Sequence, residues 1–161
     1  MKVAVIMGSL SDLNKVEPMI EILKNFGVEV DVKCLSAHRA HEKLVEFVKE
    51  ADANNVEVII AAAGMAAALP GVVAAMTTVP VIGVPISGKN LEGIDALLSI
   101  VQMPTGIPVA CVAIDGAKNA GYLALEILGI KYPSIKEKLI EERKNMEKQA
   151  LLANEELQNK F

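Results

Sequence analysis

VIIAAAGMAAALPGVVAAMTTVPVIGVPISG, residues 58–88, decides the fold. None of its 31 residues carries a charge. A run of this length must first be tested as a transmembrane helix. Gly64, Pro70, Gly71, Pro80 and Pro85 punctuate it and leave no piece long enough to span a bilayer. Val58-Ile59-Ile60 and Val81-Ile82 are short and β-branched, the pattern of strands covered on both faces. Such burial belongs to a parallel sheet between layers of helices, and no membrane partner is expected.

Lys2–Met7 reads as a buried strand and Gly8–Asp12 as the loop after it. A helix follows to about Phe26, ended by Gly27. Pro18 either kinks this helix or sits in the first turn of one that begins near Glu17. Val28–Cys34 alternates with period two, as a strand near an edge does. Leu35–His41 is a loop, and Glu42–Ala53 is amphipathic with Leu44, Phe47 and Val48 on one face. The third strand is Val56–Ala62, the small-residue loop Gly64–Gly71 leads into a helical turn at Val72–Met76, and the fourth strand is Pro80–Pro85. Then come a helix at Leu91–Val101, an irregular Met103–Pro108, and a fifth strand at Val109–Ile114. A helix at Ala117–Leu128 is ended by Gly129, and a long charged helix starts at Pro133. Strands alternating with helices imply βαβ units. The expectation is a single α/β domain over residues 1–161, a three-layer sandwich with a parallel five-stranded flavodoxin-like sheet. Residues 1–130 form its core and 133–158 a C-terminal helix at a subunit interface.

Composition bounds the function. The chain has 161 residues, the size of one domain, and its 52% of hydrophobic residues excludes disorder for the bulk of it. With 16 basic and 20 acidic residues the net charge is −4, so no basic surplus points to nucleic acid. Five aromatic residues, none of them Trp, give no base-stacking platform. Cys34 and Cys111 lie in apolar runs and are expected as buried free thiols of a reducing cytoplasm. The N-terminal MKVAVIMGS has too short an apolar stretch for a signal-peptide core. Residues 58–130 carry only six charges, Lys89, Glu92, Asp95, Asp115, Lys118 and Glu126. That is too few to wet the outside of a small domain, so a homo-oligomer is expected.

In an open parallel sheet, ligands bind beyond the carboxyl ends of the strands. Three loops fall there. Gly8-Ser9-Leu10-Ser11-Asp12 offers amides and hydroxyls for a phosphate and a carboxylate for sugar hydroxyls. Taken alone it equally fits an ordinary loop with a helix cap. Ser36-Ala37-His38-Arg39-Ala40-His41 holds both histidines of the chain around an arginine. His exchanges protons near neutral pH and Arg grips phosphate with two parallel bonds. A metal site of the H-x-x-H type has no third ligand nearby in sequence. Gly64–Gly71 has no titratable group and supplies backbone N–H groups and room. The site candidates are therefore Ser9, Ser11, Asp12, Ser36, His38, Arg39, Gly64, Ala67 and Leu69, with no metal.

At these loops the sequence resembles the N5-carboxyaminoimidazole ribonucleotide mutases of the aminoimidazole ribonucleotide carboxylase family. The matching pieces are Met7–Asp12, Ser36–Arg39, Ala66-Ala67-x-Leu69-Pro70-Gly71, Pro80–Pro85 and Leu98–Val109, with Asn119-Ala120 later. The resemblance implies a cofactor-free isomerase of purine biosynthesis that moves a carboxylate from the exocyclic nitrogen of an imidazole ribonucleotide to its ring carbon. It implies that His38 is the general acid and then base, that Ser9, Asp12 and Arg39 bind the ribose phosphate, and that the chain forms an octamer. A carboxylase using free CO2, or a diverged paralogue, is the alternative. Two positions depart from the family pattern. Ala40-His41 stands where Thr-Pro is usual, and Ala68 where His is usual, a loss for which His41 is a conceivable substitute.

Overall fold

The structure is a computed structural model that describes residues 1–161. In chain order the elements are β1 (Lys2–Met7), α1 (Leu13–Asn25), β2 (Glu29–Cys34), α2 (His41–Ala53), β3 (Val58–Gly64), α3 (Leu69–Ala74), β4 (Val81–Ile86), α4 (Ile94–Val101), β5 (Ala110–Cys111), α5 (Ala117–Lys131) and α6 (Pro133–Lys160). All strands are parallel, in the order β2-β1-β3-β4-β5, with helices on both faces of the sheet. This is the flavodoxin-like order, as the sequence pattern implied.

The uncharged stretch does what its composition requires. All six residues of β4 and six of the seven in β3 are buried. No polar or charged side chain is buried as a whole, so the core has no buried charge to pair. The chain forms two compact units, Met1–Ala124 and Leu125–Phe161. The first contains the entire sheet. The second is a helix pair, the end of α5 and all of α6, in which Glu126 pairs with Arg143 and the Tyr132 N–H donates to the Leu128 carbonyl at 2.9 Å.

Several boundaries differ from the sequence expectation. A short 3-10 turn at Leu10–Asp12 leads into α1, and Pro18 lies inside that helix at its sixth residue. Its missing N–H removes one bond of the helix ladder there. His41 is the first residue of α2 rather than part of the loop before it. α3 starts at Leu69, so Leu69-Pro70-Gly71 is its first turn, with Pro70 where no intrahelical donor is needed. α4 starts at Ile94 rather than Leu91, because Glu92 (φ 51°) and Gly93 (φ 91°) are left-handed. β5 shrinks to Ala110–Cys111, since Pro108 cannot donate and left-handed Asp115 (φ 56°) turns the chain away. Two further bonds hold this segment along β4, Val112 N–H to the Gly83 carbonyl (3.2 Å) and Asp115 N–H to the Pro85 carbonyl (2.8 Å). Gly129 does not end α5, which runs on to Lys131. The Lys136 backbone lies 3.6 Å from where a Cβ on Gly129 would sit, an ordinary packing distance.

The thiols also correct the sequence reading. Cys34 is exposed and Cys111 half-buried, both free. They end up there because β2 and β5 are the two outer strands of the sheet.

Gly83, in the middle of β4, is where helix and sheet approach most closely. A Cβ there would lie 2.5 Å from Ile100 Cγ2, 3.0 Å from Val109 Cγ1 and 3.3 Å from Pro70 Cβ. Gly83→Ala should therefore destabilise the protein by about 1–3 kcal/mol, the usual cost of overpacking. Denaturant unfolding checks this, and an unchanged midpoint would contradict the packing described.

Candidate active site

The parallel register brings three loops side by side. Met7 stands opposite Cys34 on one side and Ala62 on the other. Just beyond, the Gly8 N–H donates to the Ala62 carbonyl (3.2 Å) and the Leu35 N–H to the Met7 carbonyl (2.9 Å). The loops after β1, β2 and β3 thus leave the sheet at one level and enclose a cleft of about 450 Å³. All nine residues singled out from the sequence, Ser9, Ser11, Asp12, Ser36, His38, Arg39, Gly64, Ala67 and Leu69, line it. His41 does not, so it gives the cleft no second imidazole.

The first loop is organised by its own hydroxyls. Ser9 Oγ accepts from the Ser11 N–H (3.3 Å) and caps the 3-10 turn. Ser11 Oγ lies 2.8 Å from Ser9 Oγ and 3.2 Å from Asp12 Oδ1, so its single proton serves one of them at a time. Arg39 joins the first and second loops. Its Nη2 donates to the Gly8 carbonyl (3.4 Å) and its Nε–H to Ser36 Oγ (3.5 Å). These are long bonds, and the exposed guanidinium keeps most of its donors for a ligand. His38 sits in the turn closed by the Arg39 and Ala40 N–H groups on the Ser36 carbonyl (3.3 and 2.9 Å).

The third loop is tight. Met65 is left-handed at φ 54°, a conformation most side chains avoid. The Ala67 N–H reaches back to the Met65 carbonyl and the Ala68 N–H to the Ala66 carbonyl, both at 2.8 Å. Gly64 makes a close approach, and a Cβ there would crowd the Ile86 carbonyl oxygen at 3.1 Å. Ala67 and Leu69 are buried and shape the floor, while Met65 is exposed at the rim.

Only Asp12, His38 and Arg39 of the lining residues titrate or carry charge. Partial burial pushes the Asp12 carboxyl above its ordinary value, against the opposing pull of the Ser11 hydroxyl and the Lys15 ammonium. Sequence reasoning missed a neighbouring cluster, Lys15, Ser87 and Asp115. Lys15 Nζ lies 3.0 Å from Asp115 Oδ1 and 2.5 Å from Ser87 Oγ. The one trace of it in the sequence is Asp115, a charge at the end of the fifth strand in an otherwise uncharged region. No group of three or more His, Cys, Asp or Glu side chains is placed to hold a metal ion, and no helix is long and apolar enough to cross a membrane.

A carboxyl whose pKa is raised on folding binds protons more tightly in the native state than in the unfolded one. Its contribution to stability is present at low pH and is lost as pH rises through the folded pKa. Ionisation of Asp12 therefore costs the fold stability. Asp12→Asn should unfold at a higher temperature than the parent at pH 7 while losing activity. A lower melting temperature at that pH would show that the carboxylate stabilises the fold instead.

The chain has close counterparts among known proteins. A family model described as AIR carboxylase matches residues 2–149. The chain is 58% identical over 147 residues to the N5-carboxyaminoimidazole ribonucleotide mutase of Pyrococcus abyssi, covering 91% of this chain and 84% of that protein. It is 53% identical over 159 residues to the protein of the same name from Methanocaldococcus jannaschii, covering 99% of each. Among solved structures, Treponema denticola PurE superposes with a TM-score of 0.85 at 30% identity, over 93% of this chain and 94% of that one. A PurE2 variant from the same organism superposes with a TM-score of 0.89 at 29% identity, over 97% of each chain. With a family model spanning nearly the whole chain and relatives more than half identical along it, the protein belongs to the AIR carboxylase family.

Proposed function

We infer that the protein is an isomerase of purine biosynthesis, converting N5-carboxyaminoimidazole ribonucleotide to 4-carboxyaminoimidazole ribonucleotide. The observation that carries this reading is the set of lining residues. The cleft has one imidazole, one guanidinium, one carboxylate and a wall of alanines, and the relatives that share most of the chain bear the mutase name.

The chemistry needs one proton carrier. His38 is the only imidazole in the lining, and imidazole is the side chain suited to exchanging a proton in both directions. As imidazolium it protonates the exocyclic nitrogen while the bond from that nitrogen to the carboxylate breaks, which releases CO2 and the amine. CO2 waits in the niche of Ala63, Ala66, Ala67 and Ala68, whose methyl groups leave space and bring no competing nucleophile. The ring carbon attacks CO2, and the neutral imidazole then removes the ring proton. Bonds, protons and charge balance with no electron transfer, so the reaction asks for no redox cofactor, and His38 alone supplies the proton transfers. Ser9, Ser11, Ser36 and Arg39 supply donors to the ribose phosphate, and Asp12 accepts from sugar hydroxyls. Gly64, Ala67 and Leu69 give the base its room.

The protein acts as a homo-oligomer, an octamer in this reading. Ile94, Leu98 and Val101 make an apolar stripe along α4, and with Leu91 in the turn before it they are roughly half exposed in the subunit. On α6, Ile135 and Leu139 are buried within the chain, whereas Ile140, Met146, Leu151 and Leu152 are exposed. The C-terminal helix reaches a neighbouring subunit through these. Two free thiols fit a reducing cytoplasm.

Purified protein should convert N5-carboxyaminoimidazole ribonucleotide without added cofactor. His38→Asn should lower kcat by at least ~100-fold, the low end for loss of an acid–base group. Arg39→Ala should instead weaken nucleotide binding by about 1.5–3 kcal/mol, the worth of a charged contact. Near-normal turnover in His38→Asn would overturn the assignment. Light scattering should give a particle eight times the mass of the chain. A monomer would refute burial of the α4 stripe, and a tetramer would keep the burial and reject the octamer.

A further inference from the structure

Lys15, Ser87 and Asp115 form a closed network beside the cleft but outside its lining. The Lys15 ammonium donates to the Ser87 carbonyl (3.1 Å), to Ser87 Oγ (2.5 Å) and, forked, to both Asp115 oxygens (3.0 and 3.1 Å). Its three protons are all engaged. Ser87 donates its N–H to Asp115 Oδ1 (2.9 Å) and its hydroxyl to Asp115 Oδ2 (2.6 Å). Every partner has what it needs, which sets this network apart from an ordinary surface ion pair. It joins three elements: the first turn of α1, the residue that follows β4, and the left-handed turn between β5 and α5. The packing there is close, since a Cβ on Gly93 would meet Ser87 Cα at 3.0 Å and Ile114 Cγ2 at 2.7 Å.

Asp12 stands three residues before Lys15, one helical turn away. The charges that face it are Lys15 from α1 and Asp115 from the β5–α5 turn, with His38 and Arg39 on the β2–α2 loop across the cleft. Lys15 and Asp115 act on the Asp12 carboxyl with opposite sign. We propose that Lys15 is a positioning residue: pinned by Ser87 and Asp115, it fixes the turn that presents Asp12 to the substrate and, balanced by Asp115, sets the charge Asp12 carries there. This rests on the reading above in which Asp12 accepts from the sugar of the substrate.

The test uses the full chain with carboxyl-carbon-labelled aspartate. There are five aspartates, and the Asp12 resonance is the one missing from Asp12→Asn. Lys15→Met keeps the unbranched stem without the charge. Asp115→Asn keeps the shape, and Asn tolerates the left-handed backbone. In the free protein, Lys15→Met should move the Asp12 titration midpoint up and Asp115→Asn should move it down. A merely structural staple, broken from either end, would not produce shifts of opposite sign. In the assay, Lys15→Met should raise KM for N5-carboxyaminoimidazole ribonucleotide about threefold or more, on the scale of one hydrogen bond, with a smaller change in kcat. Lys15→Arg should recover part of it. Midpoints that stay put or move together, or a KM that does not change, would overturn the proposal. Parent protein that leaves the ribonucleotide untouched would overturn the functional reading instead, while the free-protein titration would still decide whether Lys15 and Asp115 govern Asp12.

Discussion

The parallel register that sets Met7 opposite both Cys34 and Ala62 is the constraint on which the site depends. Parallel strands all run out at the same edge, and each must hand the chain to a helix there. With β1 between β2 and β3, three successive exits lie next to one another. Residues 9, 38 and 67 are far apart in sequence yet share one cleft. A shift of one residue in the β1–β3 pairing would turn every side chain of one strand to the other face. Burial on both faces forbids charge in β3 and β4, so the sheet that fixes the register also explains the uncharged stretch.

The polar groups divide accordingly. The core carries no wholly buried polar side chain, and the groups able to do chemistry are gathered at the strand ends. Two observations show what this arrangement costs. Met65 holds a left-handed backbone that the flanking turn bonds must maintain, and Asp12 is kept in a place that resists its ionisation. Strain and desolvation of this kind concentrate where binding or catalysis is done, and here both fall on the rim of the same cleft.

Most of the fold was legible because its signals are local. β-branched runs between Gly and Pro marked β1, β3 and β4, and the alternation in Val28–Cys34 marked the edge strand. The site loops followed from topology before any residue type was weighed, and the residue types then agreed. The failures have a common physical origin. Leu69-Pro70-Gly71 looked like loop because Pro and Gly usually interrupt, yet Pro fits the first helical turn. Gly129 looked like a helix end, but it lies inside α5, which runs on to Lys131. β5 looked six residues long from its composition, whereas ladder pairing failed beside Pro108 and Asp115. The cysteines read as buried from their neighbours in sequence, but both lie on outer strands, where neither thiol is fully covered. The Lys15–Ser87–Asp115 network joins residues 72 and 100 positions apart, and no local pattern announces such a meeting.

The fate of the carboxylate distinguishes an isomerase from an enzyme that takes CO2 from solution. Unlabelled N5-carboxyaminoimidazole ribonucleotide should be turned over in buffer containing carbon-13 bicarbonate, and the first product analysed by mass spectrometry. If the cleft holds the released CO2 until the ring carbon takes it, early product is unlabelled. Early product labelled to the level of the bulk bicarbonate would mean that the CO2 escapes, and would contradict intramolecular transfer within the alanine-walled cleft.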